Sequence, residues 1–153
     1  MNEFIRGKSV ELAEQFFRFI FFWEKDDTRI GHMIRWIHHA VMYCMLVMII
    51  VTHTLLPQSF VLLLSVYVCV VLIWIQHIVT GGCVVSKVEQ KLLHDTSSFV
   101  DPFLELFHIP ITPEATIGVT IMGSTLVVVM LGLEVFARGS IAVHEFINSV
   151  ILK

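Results

Sequence analysis

Charge is the scarcest commodity in this sequence. Only 15% of its 153 residues are Asp, Glu, Lys or Arg, against roughly 25% in an ordinary soluble domain. Cysteine is nearly as rare: Cys44, Cys69 and Cys83 form no CxxC pair, which excludes a disulfide scaffold and a zinc knuckle. No basic arm and no aromatic RNA-binding motif occurs, so nucleic acid is not an expected partner. The first apolar stretch is broken by charges and has no small-residue cleavage site, so no removable signal peptide is expected. No internal repeat and no low-complexity segment is present.

Apolar residues fill the space that charge leaves, at 56% of the chain. A bilayer core needs about 20 apolar residues in a helix, and three segments meet that requirement. Residues 36–56 contain no formal charge, 60–79 contain none, and 115–137 contain only Glu134. The expected fold is therefore an all-α integral membrane protein of a single domain. Leu56, Pro57, Gln58 and Ser59 join the first two spans so tightly that they must be antiparallel neighbours, and Pro57 cannot continue a fully hydrogen-bonded helix.

Amphipathic segments flank the spans. Residues 3–25 place Glu11, Glu14, Gln15, Arg18 and Lys25 at helical spacing, with Phe16, Phe17, Phe19, Ile20, Phe21 and Trp23 over the rest of the surface. That pattern predicts a helix lying in the membrane interface, aromatic side down. The loop 80–114 predicts two short helices. In the second, Asp101 serves as cap and Pro102 as first residue, and Phe99, Phe103, Leu106 and Phe107 form an interfacial face. Thr112, Pro113 and Glu114 repeat this grammar at the start of the third span. Arg138, Gly139 and Ser140 predict a break, followed by an amphipathic helix over 140–152 with Val143, Phe146, Ile147, Val150 and Ile151 on its apolar stripe.

Orientation follows from the cations near the membrane. Six of the ten Lys and Arg residues precede position 36, and Lys87 and Lys91 lie in the 80–114 loop. With three spans, the N-terminus and that loop share a side, expected to be the cytoplasm, and the C-terminus lies opposite.

Candidate chemistry centres on histidine and cysteine. His39 lies 18 residues before Pro57 and His77 lies 20 after it, so the two fall at similar depth on adjacent helices, with His38 as a substitute for His39. Paired imidazoles could hold a haem iron or another transition metal. This is the alternative to a chain with no cofactor. Cys83 lacks any nearby pattern supplying a base and an oriented third group, so no enzymatic activity is expected. Glu134, the one charge within a span, is a functional candidate by default, but it stands close enough to Arg138 for an ion pair. Gly118, Thr120, Gly123 and Ser124 form a small-residue face suited to close helix packing.

Gly81 and Gly82 fit a helix stop, and Ser86 with Glu89 fits a capping box that starts the next helix. Cys83 then fills a small space in a structural turn. The run Cys83-Val-Val-Ser86-Lys-Val-Glu89, followed by Leu92, resembles the Cys-x-Leu-Thr-x-x-Glu motif of small polytopic membrane proteins of bacteria and large DNA viruses. Trp74 and His77 stand where such proteins end the second helix of a hydrophobic hairpin. The resemblance spans roughly residues 36–114. Val85 and Ser86 replace Leu and Thr, and Gly81-Gly82 replaces an Asn-rich turn. It implies the topology but no activity. The expected role is a non-enzymatic structural or assembly subunit of a larger membrane complex. Its partners would be the lipid bilayer and other membrane or capsid-type proteins, and its setting a virion or organelle membrane.

Overall fold

A computed structural model describes residues 3–151. Its regular elements are all helical: α1 (Glu3–Ile20), α2 (Asp27–Thr54), α3 (Phe60–Thr80), α4 (Val84–Leu93), α5 (Asp101–Leu106) and α6 (Pro113–Ile151). Three of them, α2, α3 and α6, are long and apolar enough to cross a membrane.

The helix α2 starts nine residues before the expected span. Asp26 caps it by accepting from the Thr28 N–H at 2.9 Å, and Asp27 adds a negative charge to the first turn, where the helix dipole favours one. These extra turns pack on α1 and α4. Phe21, Ile30, Ile34, Val88 and Leu92 form a buried cluster there, with Val10, Ala13 and Phe17 against it. One face of α1 is thus committed to protein. Phe4, Leu12, Phe16, Phe19, Phe22 and Trp23 remain exposed. A Cβ at Gly31 would come within 2.7 Å of the Leu93 side chain, so glycine is what lets α2 and α4 approach this closely. Ion pairs close the rim: Glu14 receives Lys91 at 2.7 Å and Arg18 at 3.0 Å, and Arg18 also reaches Asp27 at 2.7 Å.

A second cluster holds the bundle. Leu63, Val66, Val70 and Leu131 are buried, with Met45, Met48, Ile49, Tyr67, Val128 and Val135 packed around them. Gly132 admits Tyr67, whose hydroxyl would lie 3.1 Å from an added Cβ. Trp74 Nε1 donates to Thr125 Oγ1 at 2.8 Å. Both contacts join α3 to α6. No Cα of α2 approaches within 8 Å of a described Cα of α6, so these two helices flank α3 without touching backbone to backbone.

The expected break at 138–140 does not occur. The helix α6 runs unbroken for 39 residues. Arg138 pairs with Glu134 one turn back and also donates to the Pro57 carbonyl, and Gly139 packs against Phe60, 3.5 Å from an added Cβ. These neighbours occupy the residues that looked like a break. Val143 and Ile147 of the expected apolar stripe are exposed; the side chains of Phe146, Val150 and Ile151 lie outside the described residues. At the start of α6, Thr112 Oγ1 accepts from the Ala115 N–H at 3.2 Å, as the sequence predicts. In α5 the cap residue is Val100, and Asp101 is the first helical residue. Its carboxylate instead accepts from the Ser98 N–H at 2.6 Å.

Candidate functional site

The turn after α3 is built from its polar ends inward. Gly81 caps α3 in the left-handed conformation, with φ 62°, and Gly82 follows at φ 113°, angles that favour glycine. The Lys87 ammonium donates to the Thr80 and Gly81 carbonyls, placing a cation on the negative end of the helix. Burial and the neighbouring Arg6 pull the Lys87 pKa down to about 8. Gln76 and Thr80 both donate to the Gly82 carbonyl. The turn is therefore pinned on every side.

The next residue, Cys83, is the N-cap of α4. The expected Ser86–Glu89 capping box is not formed, because α4 begins at Val84 and Ser86 already lies inside it. Freed from capping, Glu89 turns to α2. It is 7% exposed, accepts from Arg35 Nε at 2.6 Å, and lies 3.5 Å from His38 Nδ1. The other nitrogen of that ring, Nε2, lies 3.6 Å from Cys83 Sγ. Thiol, imidazole and carboxylate thus stand in a line, with Arg35 behind the carboxylate. Arg35 also reaches Asp95 at 2.9 Å, which fastens the segment after α4 to α2.

The electrostatics follow from this geometry. Burial pushes the Cys83 thiol up, but hydrogen bonds from His38, His77 and the Ser86 N–H outweigh it and bring its pKa down to about 5. Burial likewise raises Glu89, and His38 and Arg35 reverse that, holding the carboxyl below its usual range. At neutral pH Cys83 is a thiolate, the nucleophilic form of cysteine.

A cavity of about 110 Å³ adjoins the sulfur, lined among others by His38, Met42, His77, Phe99, Ile117 and Thr120. His77 is 8% exposed, and its Nδ1 is buried without a hydrogen-bond partner.

The sequence-predicted residues are only partly reunited. His38, His77, Cys83 and Ser86 line one cavity, and Gly81 and Gly82 shape its wall. His39 is not among its lining residues. Its ring stacks parallel to His38 at 6.2 Å and meets Phe99 at 5.8 Å. The cavity that His38 and His77 line, about 110 Å³, is smaller than the ~300–1,000 Å³ of a pocket for a drug-sized ligand. Among the described residues no group of three or more His, Cys, Asp or Glu side chains is arranged to hold a metal ion. Glu134 pairs with Arg138 and with His53 Nε2 at the other end of the bundle. Gly118 and Gly123 have open space where a Cβ would stand, and Thr120 and Ser124 bond back to their own helix. Sequence reasoning missed the joint role of His38, Glu89 and Arg35; the one local sign was a Glu three residues after a Ser that turned out not to cap.

Comparison with family models, curated proteins and solved structures gives no match for this chain.

Proposed function

We propose that this protein is a three-span membrane protein that carries out acyl transfer or hydrolysis through a thioester on Cys83. The observation that carries the reading is the line Cys83–His38–Glu89. It supplies the three parts that covalent catalysis by cysteine needs: a nucleophile, a base within reach, and a group that orients the base. The thiolate attacks a carbonyl carbon and the S–C bond forms. The bond to the leaving alcohol or thiol then breaks, and His38 gives that group a proton. Water or a second acceptor releases the acyl group. The N–H groups of Val84 and Val85, in the first turn of α4, have no carbonyl one turn back within the helix. They are suited to receive the developing oxyanion. By the distribution of Lys and Arg, the site faces the cytoplasm.

The test uses protein in nanodiscs with Cys44 and Cys69 replaced by Ala. p-Nitrophenyl acetate should release p-nitrophenol in a burst of one equivalent, with one acetyl group gained on Cys83. An undiminished burst in Cys83→Ser or His38→Ala sinks the reading.

A non-enzymatic assembly role is the second reading. It is favoured by the open space at Gly118 and Gly123, where a helix of another subunit of a viral or organellar membrane complex could approach closely. Crosslinking from Gly118→Cys in the native membrane tests it, and an exclusively unlinked product argues against it.

A further inference from the structure

The cavity at Cys83 is small and badly placed for a water-borne substrate. At ~30 Å³ per water, its volume of about 110 Å³ holds an ester group and little more, so the remainder of any substrate lies outside it. Two of its walls are spanning helices: Met42 belongs to α2, and Ile117 and Thr120 belong to α6. The Cα atoms of those helices stay more than 8 Å apart, so an acyl chain entering from the bilayer would pass between their side chains, beside Phe99 of the loop that also lines the cavity. At the far end, the His53–Glu134 hydrogen bond joins the same two helices.

His77 adds an independent indication of a ligand. Its ring lines the cavity beside Cys83, and its Nδ1 is buried and unpartnered. A ring nitrogen accepts or donates according to the tautomer. A hydroxyl on whatever enters satisfies that atom in either tautomer, because it both donates and accepts.

Resting on the thioester reading above, we infer that the substrate is a bilayer-borne acyl ester with a free hydroxyl on its alcohol portion. Its chain lies between α2 and α6, its carbonyl on Cys83 and its hydroxyl on His77 Nδ1. The thiolate displaces the alcohol, which leaves with the proton from His38, and water then cleaves the thioester to a carboxylic acid and restores the thiol.

The experiment compares p-nitrophenyl palmitate with p-nitrophenyl acetate on the wild-type protein in phosphatidylcholine vesicles. Palmitate should acylate Cys83 at least about tenfold faster, and Thr120→Trp or Met42→Trp, from opposite walls, should lower the palmitate-to-acetate ratio by about tenfold. Monopalmitoylglycerol should compete better than methyl palmitate, and His77→Phe should abolish that difference. A wild-type ratio near one, or equal competition by the two lipids, overturns the lipid assignment while the thioester chemistry stands. Absence of acylation by either p-nitrophenyl ester overturns both.

Discussion

Arg35 Nε and Glu89 Oε1 lie 2.6 Å apart across 54 residues of sequence, and that contact decides where the imidazole of His38 can stand. Glu89 uses one oxygen for Arg35 and turns the other toward His38. Glu89 is buried and Arg35 is 26% exposed, so loss of the carboxylate leaves Arg35 with Asp95 and solvent. A hydrogen bond to a charged group contributes about 1.5–3 kcal/mol. Glu89→Gln should lower the thermal midpoint in detergent and slow Cys83 alkylation together; a change in neither would separate Glu89 from the site.

The pH dependence of Cys83 alkylation has a definite sign. The thiolate reacts and the thiol does not, so the iodoacetamide rate should rise with pH through a midpoint near 5 and be flat by neutrality. In His38→Ala the midpoint should move up toward the ~8.5 of a free cysteine. A wild-type midpoint already there would remove the stabilised thiolate. Replacing Cys44 and Cys69, both exposed, keeps the readout on one sulfur.

Glycines on two helices should differ in their response to alanine. Gly31→Ala drives a Cβ to 2.7 Å from Leu93, and such overpacking costs about 1–3 kcal/mol. Gly118→Ala and Gly123→Ala meet open space and should stay within about 0.5 kcal/mol, as surface changes do. Thermal unfolding of the three variants in one detergent checks the order.

Much of this fold was legible in the sequence, for physical reasons that also explain the misses. Uncharged runs mark α2, α3 and most of α6, because a bilayer core tolerates little else. The two short helices of the loop were legible, but the caps expected for them were not: Ser86 lies inside α4 and Asp101 is the first residue of α5. Arg138-Gly139-Ser140 looked like a stop because their partners, the Pro57 carbonyl and the Phe60 ring, belong to the distant hairpin tip. Ser86 and Glu89 looked like a capping box because the spacing was right, but Arg35 and His38 compete for the same carboxylate. The Cys83–His38 contact spans 45 residues. It depends on α2 and α4 crossing at Gly31, which no local pattern announces.

Glu134→Ala should loosen the far end of the bundle. It removes the carboxylate that pairs with both His53 and Arg138, and with it a side-chain hydrogen bond between α2 and α6. Spin labels at Thr54→Cys and Phe136→Cys should show a broader distance distribution in Glu134→Ala than in the parent; an unchanged distribution would assign the tie no mechanical role.

The unbroken α6 makes the protein's two ends rotationally coupled. Its 39 residues extend roughly 58 Å at 1.5 Å each, about twice a ~30 Å hydrocarbon core. The turns beyond Ser140 therefore form a mast with a set height and compass bearing. One residue inserted after Ser140 would swing His144 by about 100° while leaving the sulfur at the opposite end untouched.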